Sequence, residues 1–210
     1  SAVTADRGVV YVFERDGRSW TQTGTIVAAA GATGESFGSS LVLAGDTPYV
    51  GATGANSHPG SAYVFERQGN GWREIARLEG DAPEAAPEDA EAPPQRRRGP
   101  VGPRFGSAIA VDGDHVLIGA PGSSRGAGVV YAFRRDGDAF ERIGKFPPEG
   151  VTGAGLGCAF TARGGVALIV APGGHRGAGV VAGHHLSARL ATGARCLGCH
   201  LVPRLHALGR

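Results

Sequence analysis

The chain lacks what most enzymes, membrane proteins and nucleic-acid binders carry. Charge of one sign is missing: 21 basic against 19 acidic residues leave a net charge of +2 in 210 residues. No basic face or stripe of the kind nucleic acid requires is on offer. No apolar run approaches the ~20 residues of a membrane span. The first residues, Ser1-Ala-Val-Thr-Ala-Asp6, have neither the basic flank nor the apolar core of a signal peptide. Export would have used a signal that is no longer part of this sequence. There is no Gly-x-Ser-x-Gly elbow, no His-Glu-x-x-His, and no phosphate-binding glycine loop followed by Lys. The paired acids Asp112 and Asp114 sit in a hairpin, and acid–base work there would need an additional substrate cleft. The chain is therefore read as no enzyme, with no catalytic residue. Methionine is absent altogether.

Glycine is abundant instead, at 37 residues with 13 prolines, and it recurs in order. Gly8-Val-Val-Tyr11-Val-Phe13-Glu-Arg returns as Gly60-Ser-Ala-Tyr63-Val-Phe65-Glu-Arg and as Gly128-Val-Val-Tyr131-Ala-Phe133-Arg-Arg. The tyrosines stand 52 (63−11) and 68 (131−63) apart. Phe37-Gly38, Gly45-Asp46 and Gly51-Ala52-Thr53 return 68 residues later as Phe105-Gly106, Gly113-Asp114 and Gly119-Ala120-Pro121. They return again after 51 as Leu156-Gly157, Gly164-Gly165 and Val170-Ala171-Pro172. The period is thus 51 or 52 residues with an insertion of 16 (68−52) in the middle. A period of that length belongs to blades, solenoids or arrays rather than a single-core enzyme.

Each unit reads as four short antiparallel strands. In the best copy these are Phe105 to Val111, Val116 to Ile118, Val129 to Phe133 and Phe140 to Phe146, with Asp-Gly or Gly-Asp turns between the paired runs. Glycine and aspartate tolerate the positive φ such hairpins need. No helical apolar period is sustained before residue 180.

Four strands per unit of about 50 residues is the blade of a β-propeller. Phe105-Gly106-Ser107 through Gly119-Ala120-Pro121, followed by Gly126-Ala127-Gly128-Val-Val-Tyr131-Ala-Phe133, resembles the FG-GAP repeats of integrin α-subunit propellers and secreted bacterial proteins. The resemblance covers roughly residues 8 to 180. It implies an all-β propeller segment at 1–181: a partial unit 1–30, a unit 37–80, a disordered insertion 82–99, a unit 105–150 and a partial unit 156–181, with an irregular tail at 182–210. About three blades' worth of strands falls short of a closed ring, so self-association through exposed blade faces is expected. The function implied is a binding or adhesion module, secreted or at the cell surface or in the periplasm, that presents inter-blade loops to a protein or glycan partner. An accessory propeller of a larger secreted hydrolase is an alternative.

Many integrin-type repeats hold calcium in an Asp-x-Asp-x-Asp-Gly loop between these strands, because that ion needs six to eight oxygens. Here the connections shrink to Ala44-Gly45-Asp46-Thr47-Pro48 and Asp112-Gly113-Asp114-His115. Calcium, and metal generally, is not expected. Trp20, Trp72 and Phe140 share one repeat position (72−20 is 52, 140−72 is 68) and are expected to pack on the outer strand. Cys158, equivalent to Ser107 and Ser39, is expected to be a small buried residue.

The insertion alternates Glu84, Glu88, Asp89 and Glu91 with Ala and Pro before Arg96-Arg97-Arg98, a composition that cannot bury enough apolar surface to order itself. It reads as an inter-unit loop, or as a partner-docking loop with the arginines as its charged element. From Val151 to Arg210 there is no acid, only six arginines and five histidines, which suggests a degenerate terminus or a reading-frame slip. Cys196-Leu197-Gly198-Cys199-His200 within it matches the attachment motif of c-type haem, the alternative being an electron-transfer protein with Cys196, Cys199 and His200 holding the group. His184, His185 or His206 would have to supply the second ligand. A Cys196–Cys199 disulfide, a zinc site completed by His200 and His206, and an accident of composition also fit, with accident favoured.

Overall fold

A computed structural model describes residues 8–28, 36–54, 59–82, 102–146, 155–173 and 180–185. These form four antiparallel sheets in chain order, almost without helix. The first unit has two strands, β1 (Val10–Asp16) and β2 (Ser19–Ile26). The second has four, β3 (Phe37–Ala44), β4 (Thr47–Ala52), β5 (Ser61–Gln68) and β6 (Gly71–Leu78). The third has β7 (Ile109–Asp112), β8 (His115–Ala120), β9 (Val129–Asp136) and β10 (Ala139–Phe146), and the fourth has β11 (Ala159–Arg163), β12 (Val166–Ala171) and β13 (Val180–His185). Each sheet is a meander with neighbours in sequence order and no closed ring, a partial propeller.

The repeat survives in the register. Arg15 pairs with Trp20, Arg67 with Trp72 and Arg135 with Phe140 at the outer hairpin of successive units. Gly51 pairs with Ala62, Gly119 with Val130 and Val170 with Val181 on the inner strands. Gly113 turns the β7–β8 hairpin at φ 61°, the left-handed region where a Cβ would be strained.

The sheets stack face to face, and the apolar core lies between them in three layers. Ile26, Val10 and Val12 of the first unit meet Phe37, Tyr63 and Phe65 of the second. Tyr49, Val64 and Leu78 of the second meet Phe105, Tyr131 and Phe133 of the third. Leu117, Val130 and Phe146 of the third meet Leu156, Ala167 and Ile169 of the fourth. The inner strands of the middle units, β4 and β5, β8 and β9, are therefore buried on both faces over most of their length. This explains the unbroken apolar runs Tyr49–Ala52 and Val116–Ala120 where an alternating pattern would mark a half-exposed sheet.

The Phe-Gly and Gly-Ala landmarks are explained by the way units touch. The amide of Phe105 donates to the carbonyl of Pro59 at 2.8 Å, and Gly60 forms a parallel bridge with Phe105, as Gly128 does with Leu156. A Cβ on Gly51 would run into the carbonyl of Gly106, and one on Gly119 into the carbonyl of Gly157. Glycine stands at both positions because two backbones cross there.

Three expectations are corrected. The third unit's first strand begins at Ile109 rather than Phe105, because Phe105 and Gly106 (φ 87°) leave their own sheet to meet the preceding unit. Strand β13 continues through Ala182-Gly183-His184-His185, past the boundary placed at 181, because its ladder to β12 uses backbone groups and needs no aromatic side chain. Cys158 is exposed, since it closes a tight turn onto Gly155 that aims its side chain outward. The insertion, except for Ala82, lies outside the described residues.

Candidate functional site

The meander places the two kinds of connection at opposite ends of each sheet. One end carries the tight hairpins; the other carries the segments leading from unit to unit and the longer link between the second and third strands. In the third unit that link runs from Pro121 to Gly128. Proline at 121 stops the ladder after β8 because it has no N–H to donate.

Within the link, Ser124, Arg125 and Gly126 have φ of 51°, 57° and 85°, three consecutive left-handed residues. Single residues of this kind are ordinary in turns, but a run with serine and arginine costs of order 1 kcal/mol or more each and persists only where neighbours enforce it. Here they do. Gly122 donates to the carbonyl of Pro103 at 2.9 Å on one side, and Gly155 donates to the carbonyl of Gly126 at 2.9 Å on the other. Ala127 and Gly128 close the turn onto Ser124 and Ser123 at 3.1 and 3.0 Å. The result is a rigid protrusion wedged between the segments that lead into the third and fourth units. The side chains of Ser124 and Arg125 are exposed on it.

Beside it stands Arg104, exposed and also left-handed at φ 57°. Its repeat equivalents are Ser36 at φ 52° and Gly155 at φ 62°. The chain needs a left-handed residue before each crossing, and only the fourth unit uses glycine for it.

At the same end, Asp81 ties the second unit's outgoing segment to the third unit. Its carboxylate accepts from Arg142 at 2.6 Å and Lys145 at 2.8 Å, and from the Tyr131 hydroxyl at 3.3 Å, while its own amide donates to that hydroxyl at 3.2 Å. The Arg142 guanidinium lies 5.9 Å from the centre of the Tyr131 ring. The hydrogen bond from Lys145 holds the Asp81 carboxyl below its usual range against the opposing effect of partial burial, with Arg142 adding to the lowering. The same bond raises Lys145. A depressed carboxyl contributes stability above its unfolded value of about 3.9 and loses it as pH falls through the folded value. The raised ammonium contributes fully below its unfolded value of about 10.4 and loses this only in alkali. Asp81→Asn is thus expected to cost up to about 1 kcal/mol at pH 7, the range for half-exposed ion pairs. The difference from the parent should shrink in urea titrations as pH falls below the unfolded carboxyl value of about 3.9; a deficit that does not shrink on acidification would show that charge is not what Asp81 supplies.

The hairpin acids are spread out. Asp46 is exposed at its turn. Asp112 accepts from the Gly165 amide of the next unit at 2.6 Å, and Asp114 contacts His115 Nδ1 at 2.7 Å. Among the described residues no three His, Cys, Asp or Glu side chains converge. Trp72 and Phe140 pack across unit boundaries, Phe140 edge-on to Tyr49 at 6.4 Å, whereas Trp20 is exposed. Cys196, Cys199, His200 and His206 lie outside the described residues, as do the side chains of His184 and His185.

The Asp81 cluster and the Ser124–Arg125 turn were not foreseen from sequence. Asp81 has Ala29 as its first-unit equivalent (81−52) but Glu149 as its third-unit one (81+68), so an acid at this repeat position was a signal that could have found it. The turn could have been suspected from glycines at 122, 126 and 128 around Arg125.

Residues 20–65 match the family model described as FG-GAP repeat. No curated protein matches the chain.

Proposed function

We propose that this FG-GAP repeat protein is a non-catalytic binding module, and that the loop end around Arg104 and Ser124–Arg125 is where its partner sits. The observation that carries this is the run of left-handed residues held rigid from both sides. Strain that the rest of the fold enforces is a signature of binding sites, and binding residues concentrate on loops set by a rigid scaffold. Two exposed guanidinium groups in this setting suit acceptor oxygens, since each presents a planar fork that carboxylate or sulfate meets bidentately. A partner bearing such groups, an acidic glycan or an acidic protein surface, is the best fit. No helix among the described residues is long and apolar enough to cross a membrane, and FG-GAP repeats are typical of extracellular proteins. We place the module outside the cytoplasm on the typical setting of these repeats alone. Neither the haem carrier nor the hydrolase accessory has an observation among the described residues in its favour.

The test is an array of sulfated, carboxylated and neutral glycans probed with the full chain and with an Arg104→Glu, Arg125→Glu double variant. Saturable binding to an acidic class is expected, weakened at least tenfold in the double variant, whose circular dichroism should be unchanged because both side chains are exposed. Equal binding by the variant, or a preference for neutral glycans, would sink the assignment.

A further inference from the structure

Asparagine occurs twice in the chain, at Asn56 before Ser57 and at Asn70 before Gly71. The second stands at the tip of the β5–β6 hairpin, where it and Gly71 are exposed. Gln68 pairs with Gly71 to close that hairpin, so the turn consists of Gly69 and Asn70. The left-handed residue that such a turn needs is Gly69, at φ 59°. The third unit repeats the arrangement with Gly137 at φ 62°.

Gly71 has no such reason to be glycine. It is not left-handed, and a Cβ on it would meet only the Gln68 carbonyl oxygen at 3.8 Å, an ordinary contact. Its equivalents are Ser19 (71−52) and Ala139 (71+68), and each opens its outer strand as Gly71 opens β6. The fold does not call for an amide at position 70 either. The third-unit equivalent of Asn70 is Asp138 (70+68), whose carboxylate lies 3.6 Å from Arg73 of the second unit. The second unit thus sets an exposed side-chain amide directly before a residue with no side chain, and it is the chain's one Asn-Gly pair.

We propose that Asn70 is a site of spontaneous modification, at which water converts the side-chain amide to a carboxylate by way of a cyclic imide. The Gly71 amide nitrogen bonds to the Asn70 side-chain carbonyl carbon and gives up its proton, and the side-chain nitrogen leaves as ammonia. A Cβ on the following residue would crowd that approach, and glycine has none. Water then adds to one of the two imide carbonyls and reopens the ring. Breaking the new bond to the Gly71 nitrogen leaves aspartate, and breaking the original main-chain bond leaves isoaspartate. The nitrogen becomes available when the Gln68–Gly71 pair opens, and the last pair of an exposed hairpin opens at little cost. Aspartate is a product the fold already holds at position 138, whereas isoaspartate lengthens the main chain inside a two-residue turn. Either product lowers the net charge from +2 to +1. The hairpin tips lie at the opposite end of the sheets from Arg104 and Arg125, so the modification stands apart from the partner site.

The experiment ages the full chain in mildly alkaline buffer and follows the tryptic peptide 68–73 by mass spectrometry, against an unaged sample digested alike. The peptide should give way to two products of one raised mass, of which one elutes with the same peptide from an Asn70→Asp variant. Isoelectric focusing of the intact chain should show the matching acidic form. Conversion at Asn70 should outrun that at Asn56 by about tenfold or more, because Ser57 carries a Cβ. Gly71→Ala should slow it by about tenfold or more through the same crowding. That variant should keep the parent's circular dichroism, since Ala139 holds the equivalent place. An Asn70 that stays intact, conversion no faster than at Asn56, or a Gly71→Ala variant that converts as fast as the parent would each overturn the inference.

Discussion

Gly119→Val is expected to cost about 3–5 kcal/mol, a large part of the 5–15 kcal/mol that holds a typical domain together. The new Cβ would overlap the Gly157 carbonyl and approach the Phe160 ring within 2.9 Å. A flexible side chain could swing away from such a clash, but a backbone carbonyl cannot, because Gly157 is pinned by its own amide's hydrogen bond to Val170. The third and fourth units would have to separate, opening the layer of Leu117, Val130 and Ile169 to water. Valine is not intrinsically wrong on this strand, being a good β-former; it already stands in the same register at position 170. Val170→Ala in the same background is the control and should change stability by less than about 1 kcal/mol. Urea denaturation of the two variants checks both numbers. A near-neutral Gly119→Val would mean that the crossing is looser than the side-by-side backbones imply.

Phe105→Ala is expected to cost about 3–5 kcal/mol, the usual loss for emptying an aromatic site in a core. Phe105 is fully buried and holds two aromatic partners, with ring centres 5.3 Å from Tyr131 and 6.3 Å from Phe133. Gly80 lies against the same ring and Gly60 pins the Phe105 backbone, so collapse into the void is restricted. Phe37→Ala removes the equivalent ring from between Tyr63 and Phe65. It should cost less, because Phe37 is packed against a first unit of only two strands. Equal losses at both positions, read as shifts in denaturation midpoint, would show that burial by the neighbouring unit adds nothing.

The repeat, the strand count and the antiparallel pairing were legible in sequence because they are written in local signals. Gly45-Asp46 and Gly113-Asp114 mark hairpins wherever they occur, and offsets of 68 and 51 tie them into units. What could not be read was anything made by two units together. Gly51 and Gly119 look like turn glycines in sequence, yet both lie inside strands and are small because another backbone crosses them. Arg104 carries no sign of its left-handed φ until it is aligned with Ser36 and Gly155. Cys158 was expected inside on the strength of small equivalents, but small residues there follow from the tightness of a turn rather than from burial. Tyr11 and Phe13 have the same pattern as Tyr63 and Phe65 and the opposite exposure, since Tyr63 and Phe65 are covered by Phe37 and by the first unit's Ile26, Val10 and Val12. Of the loop end, glycine spacing was visible; the wedging of Arg125 between two neighbouring segments was not.

The bridges that join Gly60 to Phe105 and Gly128 to Leu156 make the second unit share backbone pairing with the third, and the third with the fourth. A chain coupled this way behaves as a one-dimensional row in which every unit is held by its own ladder and by its neighbours alone. Opening is therefore expected to come last in the second and third units, which are packed on both faces. Amide protons of β1 and β2 exchange through small, frequent openings, while those of β8 and β9, fenced on both sides, wait for the whole row to come apart.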